Sequence, residues 1–211
     1  MSDAREFQRS LDELRAAERD LMLQRERVAE QRRALPVAGV GEDYEFEELV
    51  AGAVRPVRLS ELFTAPDRTL IVYHFMYGKR QESPCPMCSA WADGWNAVSG
   101  QLARRVDLVI AVAAPIDDWS KVVERRGWTE LRHVSAAPSS FKVDVGGEDA
   151  DGNQSPFIST WTLDADGRPR QRYGGAARYD DEHWRGLDLL SPIWHLLDLC
   201  PEGRGDFMPV T

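Results

Sequence analysis

Two of the three cysteines stand three residues apart, in the segment Cys85-Pro86-Met87-Cys88. The segment follows a continuous apolar run, Leu70 to Met76, of the kind that forms a buried strand, and a short polar loop. Apolar residues then recur with helical spacing. Two thiols at this spacing, at the first turn of a helix after a buried strand, are typical of a pair that cycles between dithiol and disulfide.

The start of a helix favours ionisation of the first thiol. Unpaired backbone N–H groups there stabilise an anion, so we expect Cys85 to be held partly as the nucleophilic thiolate. Cys88, one turn later, is close enough to complete a disulfide and is expected to be more buried. Pro86 suits the first helical position, where the N–H it lacks has no partner. The predicted roles are attack on a substrate disulfide by Cys85 and resolution of the mixed disulfide by Cys88.

Two other uses of such a pair stay open. A Cys-x-x-Cys segment forms half of many zinc sites, but the chain offers only Cys200 and four histidines as further ligands, none spaced as a second pair. The other use is a structural disulfide, which is rare in proteins of a reducing compartment. We therefore predict dithiol redox chemistry, with no metal ion and no cofactor.

Three further residues are candidates for supporting roles. His74 lies in the apolar run, either as a core residue or beneath the cysteines as a proton relay, for which its usual pKa is suited. Asp93, five residues after Cys88, is either a buried acid near the thiols or a solvated residue. Trp91 is expected in the core, with one edge at the border of the redox site.

Two remaining features of the sequence are Cys200 and an acidic turn. Cys200 follows an apolar segment, and we expect it to pack as a small core residue, with a third redox thiol as the alternative. The segment Asp164-Ala165-Asp166-Gly167 resembles the start of a calcium loop. Its twelfth position holds Gly175 instead of glutamate, which excludes that motif.

The elements that position the thiols alternate between strands and helices. Helices are predicted from Pro86 to about Arg104 and from Asp117 or Asp118 to Arg126, ended by Gly127. This order predicts an α/β fold, a mixed sheet with helices on both faces. The other predicted elements are strands at 44–46 (an edge), 57–59, 70–76, 107–114, 131–136, 157–163 and 170–173, a mobile loop at 146–156, and a helix over 187–199 kinked at Pro192. The predicted apolar face of the helix after the cysteines consists of Trp91, Trp95, Val98 and Leu102.

Residues 1–35 are predicted to form a helical arm separate from a domain at residues 44–211. In the arm, an apolar residue recurs every seven positions, at Phe7, Leu14, Leu21, Val28 and Leu35. A narrow stripe of this kind suits a helical partner, so a homodimer through the arm is one prediction and packing on its own domain is the other. Residues 36–43, with a proline and two glycines, are predicted to be a linker.

The composition limits the classes of function. The net charge of −9 opposes non-specific binding of nucleic acid, which needs a basic surface. The chain has no apolar run of the roughly 18 residues that a membrane span needs, and its first residues lack the apolar segment of a signal peptide. Three cysteines are too few for a disulfide-stapled secreted fold. We expect a cytoplasmic protein without nucleic-acid or membrane partners.

Several short segments, spread over about Tyr44 to Asp206, form a recognisable set. They are Val72 to Met76, Cys85 to Ser89, Trp91 to Asp93, Ala114-Pro115, Gly127-Trp128, Arg185 to Asp188, Leu197 to Leu199, Pro201 and Gly203-Arg204. Together they resemble domain-of-unknown-function family 899, a bacterial thioredoxin-like group. The resemblance implies a thioredoxin fold of the peroxiredoxin-like branch, with a dithiol site at Cys85 and Cys88. It implies no substrate, because the family is defined by similarity and not by activity.

The loop before Cys85 is similar in length to that of peroxiredoxins. Their pattern has a threonine or serine three residues before the reactive cysteine and a proline four residues earlier; Glu82 and Gly78 stand at those positions here. Thioredoxins also place a cis-proline before the strand that faces the cysteines. Pro156 is the nearest candidate, although counting back from Gly167 places that position near Ser159.

The sequence thus predicts a thiol–disulfide oxidoreductase that acts on a protein or small-molecule disulfide and is recycled by a reductant not identified by the sequence. Two alternatives share the fold: a peroxiredoxin-like thiol peroxidase, and a redox-inert interaction module.

Overall fold

The computed structural model describes residues 2–37, 41–180 and 182–210. The chain divides into two compact units, residues 1–36 and residues 37–211. The first unit is one helix, α1 (Ser2–Arg33), in which Phe7, Leu14 and Leu21 of the seven-residue stripe are exposed. The homodimer through this helix stays a prediction. The predicted linker falls in part on residues 38–40, outside the described residues.

The second unit is built on one seven-stranded sheet. Its strands are β1 (Glu45–Val50), β2 (Ala53–Arg58), β3 (Thr69–His74), β4 (Val106–Val112), β5 (Arg132–Ser135), β6 (Phe157–Leu163) and β7 (Pro169–Ala176). They lie in the order β2-β1-β5-β4-β3-β6-β7. The three central strands β3, β4 and β5 are parallel, while the outer pairs are antiparallel hairpins, so the sheet is mixed as predicted.

Helices connect the parallel strands because such a connection has to return to the same end of the sheet. The helices of this unit are α2 (Pro86–Leu102), α3 (Ile116–Arg126), α4 (Phe141–Asp144) and α5 (Pro192–Leu197). Residues of α2 and α3 pack in one core cluster, with Tyr73 and Phe75. Phe141 of α4 packs in a second cluster, with Phe46 and Trp161. No described helix combines the length and apolarity needed to cross a membrane.

The predicted edge strand is wrong. β1 lies inside the sheet, between β2 and β5, and β2 forms the edge. β1 and β2 are joined at Ala51-Gly52, where both residues have positive φ (51° and 80°), the geometry of a two-residue hairpin turn. Position within the sheet depends on β5, more than 80 residues away along the chain, which local alternation does not reveal.

Three predicted helix features also differ. α3 begins at Ile116, directly after Pro115, and not at Asp117 or Asp118, whereas Gly127 ends it with φ 67° as predicted. Pro192 is the first residue of α5, where its missing N–H has no partner, so it starts a helix and does not kink one. In α2, Val98 is 46% exposed, and the buried face is formed by Cys88, Ser89, Trp91 and Ala92.

Candidate active site

The cysteine pair lies at the N-terminus of α2. Cys85 is the residue before the helix, with φ −65° and ψ 125°, and Pro86 is the first helical residue. The Cys85 carbonyl accepts hydrogen bonds from the Ser89 N–H at 2.9 Å and from the Ser89 hydroxyl at 3.0 Å. Both cysteines are free thiols; Cys85 is 7% exposed and Cys88 is 0% exposed. The pair therefore lies where its spacing predicts, with Cys88 the more buried thiol.

The two thiols differ in acidity. A hydrogen bond from the Cys88 thiol is the main cause that lowers the pKa of Cys85 to about 7; burial opposes it, and the backbone N–H groups of Cys88 and Met87 assist it. Burial raises the pKa of Cys88 well above its usual range, and its bond to Cys85 adds to the effect. One thiol is thus nucleophilic near neutral pH, while the other keeps its proton.

Tyr73 is a site residue that sequence reasoning missed. Its hydroxyl donates a hydrogen bond to Cys88 Sγ at 3.1 Å. Burial raises the pKa of Tyr73 well above its usual value, so the hydroxyl keeps its proton and remains a donor. The signal was the alternation of side chains along a strand, which sends Tyr73 and His74 to opposite faces of β3.

His74 lies on the face of β3 away from the cysteines, so the predicted proton relay beneath the pair is wrong. Its ring stacks on Phe141, with 5.1 Å between the centroids, and its Nε2 is hydrogen-bonded to Ser159 Oγ at 2.9 Å. Burial lowers the pKa of His74 well below its usual value, and Lys142 adds to this. His74 is therefore a neutral core residue, as the other interpretation had it.

The two remaining candidates on α2 have different surroundings. Trp91 is buried, packs edge-on against Tyr73 at 5.7 Å between ring centroids, and lines the same cleft as Cys85. Asp93 is 47% exposed and accepts a hydrogen bond from Trp128 Nε1 at 2.8 Å. The buried-acid interpretation of Asp93 is wrong, because five residues of helix turn it about 140° away from Cys88.

The loop between β3 and α2 is fixed to the end of β4. Gly78 and Gln81 exchange two backbone hydrogen bonds of 2.8 and 3.0 Å, and the Ala113 N–H donates to the Tyr77 carbonyl at 3.1 Å. Gly78 has φ 95°, and a Cβ atom there would overlap the backbone of Ala114. Only glycine fits this position, which determines how the chain approaches Cys85.

We expect Gly78→Ala to lower the free energy of unfolding by about 3 kcal/mol. Two costs add: the strain of a left-handed backbone conformation in alanine, and the overlap of its Cβ atom with the backbone of Ala114. Gly52→Ala is the matched control. Gly52 has φ 80° but open space around it, so only the strain remains, about 1 kcal/mol. Urea unfolding of both variants measures the difference, and equal losses would contradict the close approach at Gly78.

A buried amine lies beside the site, and sequence reasoning missed it as well. Lys142 is 3% exposed, and its Nζ donates to the Phe75 carbonyl at 2.8 Å and to Gln154 Oε1 at 2.6 Å. Burial lowers the pKa of Lys142 to about 7, opposed by the charges of Glu148 and Cys88. The local sequence gives no sign of this, because Lys142 reads as a solvated residue of a short helix.

The segment predicted as a mobile loop, 146–156, is tied to the loop before Cys85. Gln154 Nε2 donates to the Gly78 carbonyl at 2.7 Å, and Lys79 Nζ binds Glu148 Oε1. Glu148 is 5% exposed, and its other oxygen, Oε2, has no hydrogen-bond partner. The two loops together thus form one wall of the site.

A cleft of about 650 Å³ opens beside Cys85. Its apolar lining is aromatic and thioether-rich, and its polar lining comes largely from the segment 146–156. This volume lies within the range of roughly 300–1,000 Å³ usual for small-molecule sites. The main apolar residues of the lining are Met76, Met87, Trp91, Trp184 and Trp194.

Cys200 is exposed, so its predicted packing in the core is wrong. α5 ends at Leu197, and Cys200 follows in a turn with its sulfur 3.8 Å from the Leu196 carbonyl.

Across the residues that the structure describes, no three side chains of His, Cys, Asp or Glu cluster as metal ligands.

In a Cys200→Ser protein, we expect the rate of iodoacetamide modification of Cys85 to rise with pH, with a midpoint near 7. Cys88→Ala removes the main cause of this acidity, so the midpoint should rise by about one pH unit. Mass spectrometry of the alkylated peptide at a series of pH values measures both. An unchanged midpoint in Cys88→Ala would mean that the helix N-terminus alone sets the pKa of Cys85.

The sequence profile of one family, Bacterial protein of unknown function (DUF899), matches residues 1–210. The chain belongs to this family. The match covers the cysteine pair and every residue of the site described above, and it confirms the resemblance seen in the short segments. None of the curated proteins matches the chain.

The solved structures that resemble this DUF899 chain include two with TM-scores above 0.5. Reduced Prx3 from Vibrio vulnificus, in complex with H2O2, aligns with a TM-score of 0.54 and 14% identity over 74% of this chain and 98% of its own. A candidate thioredoxin reductase from Burkholderia cenocepacia aligns with a TM-score of 0.53 and 13% identity over 74% and 96%. At these identities the likeness shows the fold, which is thioredoxin-like with a mixed sheet, as predicted.

Pro156 directly precedes β6, the antiparallel neighbour of β3, and it lines the cleft together with Cys85. The count that placed this position near Ser159 is therefore wrong, because Ser159 lies inside β6 and contacts His74. No peptide bond among the described residues is cis.

Proposed function

We propose that this DUF899 protein is a thiol–disulfide oxidoreductase in which Cys85 is the nucleophile and Cys88 the resolving thiol. The proposal depends on the asymmetry of the pair. Cys85 lines an open cleft and has a pKa lowered to about 7, mainly by the neighbouring Cys88 thiol, whereas Cys88 is fully buried. A thiol that is accessible and ionised near neutral pH is the one that attacks a disulfide.

The chemistry takes two steps. The Cys85 thiolate attacks one sulfur of the substrate disulfide, forms a mixed disulfide, and releases the other sulfur as a thiolate. Cys88 then passes its proton to the thiolate released in the first step, attacks Cys85 Sγ, and releases the second substrate thiolate. The substrate disulfide gains two electrons, and the protein dithiol is oxidised to the Cys85–Cys88 disulfide. An external thiol reductant reverses the oxidation and completes the cycle.

Neighbouring groups support each step. Pro86 begins α2, leaving the N–H groups of Met87 and Cys88 free to stabilise the Cys85 thiolate. The Tyr73 hydroxyl, at 3.1 Å, stabilises the thiolate that forms on Cys88 in the second step. Trp91 lines the cleft beside Cys85, where its apolar ring would limit the access of water to the mixed disulfide.

The test is a redox titration of the Cys200→Ser protein in glutathione buffers, with rapid alkylation and mass spectrometry. We expect one two-electron transition between dithiol and disulfide, at a potential within the range of roughly −270 to −120 mV spanned by thioredoxin-fold oxidoreductases. Cys85→Ser and Cys88→Ser proteins should each lose the transition. A pair that stays reduced across this range would identify a redox-inert module and contradict the proposal.

The same preparation separates disulfide reduction from peroxidase activity. Glu82 and Gly78 stand where the peroxiredoxin pattern has a hydroxyl residue and a proline, which favours disulfides as substrates. Reduced protein is mixed with H2O2 or with a model disulfide at equal concentration. We expect faster loss of thiols with the disulfide. Faster loss with H2O2, with a sulfenic acid trapped on Cys85, would make the protein a thiol peroxidase.

A further inference from the structure

The cleft beside Cys85 contains a carboxylate that the proposed chemistry does not use. Glu148 is 5% exposed and lines the cleft. Lys79 binds its Oε1, while its Oε2 has no hydrogen-bond partner. A buried carboxylate oxygen without a donor costs free energy, which a ligand with a donor group recovers on binding. Glu148 thus points to a ligand that carries such a group.

The rest of the lining narrows the chemistry of this ligand. Trp91, Trp184 and Trp194 offer aromatic surface, which attracts cations as well as carbon chains. Arg178 lies over the Trp184 ring at 4.5 Å and Arg204 over the Trp194 ring at 5.2 Å, contacts that hold both rings in place.

The charged residues of the lining are mainly acidic. Glu148, Asp149 and Asp188 line the cleft, against one basic residue, Arg178. Asp188 is paired with Arg185 and Arg204, so the acidic character of the cleft comes from Glu148 Oε2 and Asp149. The net charge of the chain, −9, has the same sign. A cationic ligand is therefore favoured over an anionic one.

We propose that the cleft binds a small organic disulfide that carries an amino group, with its ammonium on Glu148 Oε2 and one sulfur at Cys85. This inference rests on the proposed function and makes aminothiol disulfides its preferred substrates. The Cys85 thiolate attacks the nearer sulfur and displaces one aminothiol, and Cys88 displaces the second. The substrate disulfide is reduced to two aminothiols while the protein dithiol becomes a disulfide, which an added dithiol reduces again.

The first test compares two disulfides of similar size in single-turnover reactions of the reduced Cys200→Ser protein. The substrates are bis(2-aminoethyl) disulfide and bis(2-hydroxyethyl) disulfide. Each rate is divided by the rate of the same disulfide with free dithiothreitol, which removes differences in leaving-group acidity. We expect the normalised rate to favour the amine about tenfold or more. Equal normalised rates would overturn the inference.

Two variants show whether Glu148 causes the preference. Glu148→Gln keeps the shape of the side chain and an acceptor for Lys79, and should bring the ratio of the two normalised rates close to one. Glu82→Gln is the matched control, because Glu82 is exposed and lies outside the cleft lining; it should keep the ratio of the parent protein. A preference that survives Glu148→Gln would overturn the inference.

A binding measurement separates the site from the redox chemistry. In a protein with all three cysteines replaced by serine, titration calorimetry should show about tenfold tighter binding of the amine than of the hydroxyl disulfide, lost in Glu148→Gln. If calorimetry shows this preference but the protein with its native cysteines does not reduce the disulfide, the binding site is supported and the proposed function is overturned. If the protein reduces the disulfide but calorimetry shows no preference for the amine, the proposed function is supported and the amine site is overturned.

Discussion

Replacing Cys85 by serine is expected to slow disulfide reduction by at least about a thousandfold, since a serine hydroxyl does not ionise near neutral pH and cannot form the mixed disulfide. The loss should be equal for protein and small-molecule disulfides, because both react first at this sulfur. The assay follows reduction of insulin with dithiothreitol as the recycling reductant, in the Cys200→Ser protein so that the exposed third thiol does not contribute.

The Cys88→Ser variant shows which of the two thiols attacks first. Its Cys85 should still attack, so the first thiol of the substrate is released, and the reaction should stop at a mixed disulfide on Cys85. Mass spectrometry of the intact protein and of the Cys85 peptide detects the adduct. If the adduct instead accumulates on Cys88 in the Cys85→Ser protein, the two thiols have the opposite roles.

The thiol site was predictable because its determinants are local. The spacing of Cys85 and Cys88, the proline between them and the apolar run before them lie within one strand–loop–helix segment, and the structure keeps that order. The local sequence does not show which of the two neighbours, Tyr73 or His74, faces the cysteines. Both stand in the same strand, and only the packing of α2 against one face of the sheet decides that Tyr73 meets Cys88.

The second half of the site comes from residues distant in sequence. Lys142 and Glu148 follow the cysteines by more than 50 residues, in a segment without periodicity, and hydrogen bonds to the loop before Cys85 bring them to the site. Their burial follows from the approach of two loops at one end of the sheet. The periodicity of apolar residues predicts which face of one helix or strand packs on the core, but it does not predict which loops contact each other. The cleft and its unpaired carboxylate could therefore be found only in the structure.

The buried amine leads to the other large expected effect. A neutral lysine amine has two N–H donors, and Lys142 Nζ has two acceptors, the Phe75 carbonyl and Gln154 Oε1. Its surroundings therefore suit the uncharged form, in agreement with a pKa lowered to about 7, mainly by burial. In the unfolded chain the same group has its usual pKa of about 10.4.

The sign of the resulting pH dependence follows from proton counts. Between about pH 7 and pH 10.4 the unfolded chain binds the lysine proton and the folded protein does not, so the free energy of unfolding rises with pH over this interval. Below about pH 7 both states are protonated, and the folded protein bears the cost of a buried ammonium. The whole interval corresponds to about 4–5 kcal/mol, because one pKa unit is worth about 1.4 kcal/mol.

Other groups, Cys85 among them, also titrate over this range, so the lysine is isolated by comparison with Lys142→Met. Methionine has a similar length and no charge; the two acceptors it leaves unpaired lower stability by an amount that does not depend on pH. The free energy of unfolding of the parent minus that of Lys142→Met should therefore rise by about 3–4 kcal/mol between about pH 6.5 and pH 9.5.

Urea unfolding of both proteins across this range is the measurement. Lys121→Met is the control: Lys121 is exposed, and its bond with Asp118 raises its pKa, which places its titration above the interval and predicts a flat difference. A flat difference for Lys142→Met as well would mean that Lys142 stays charged in the folded protein at neutral pH. Its neighbours Glu148 and Cys88 would then face a permanent cation, and the acidity of the buried thiol would have to be explained with that charge beside it.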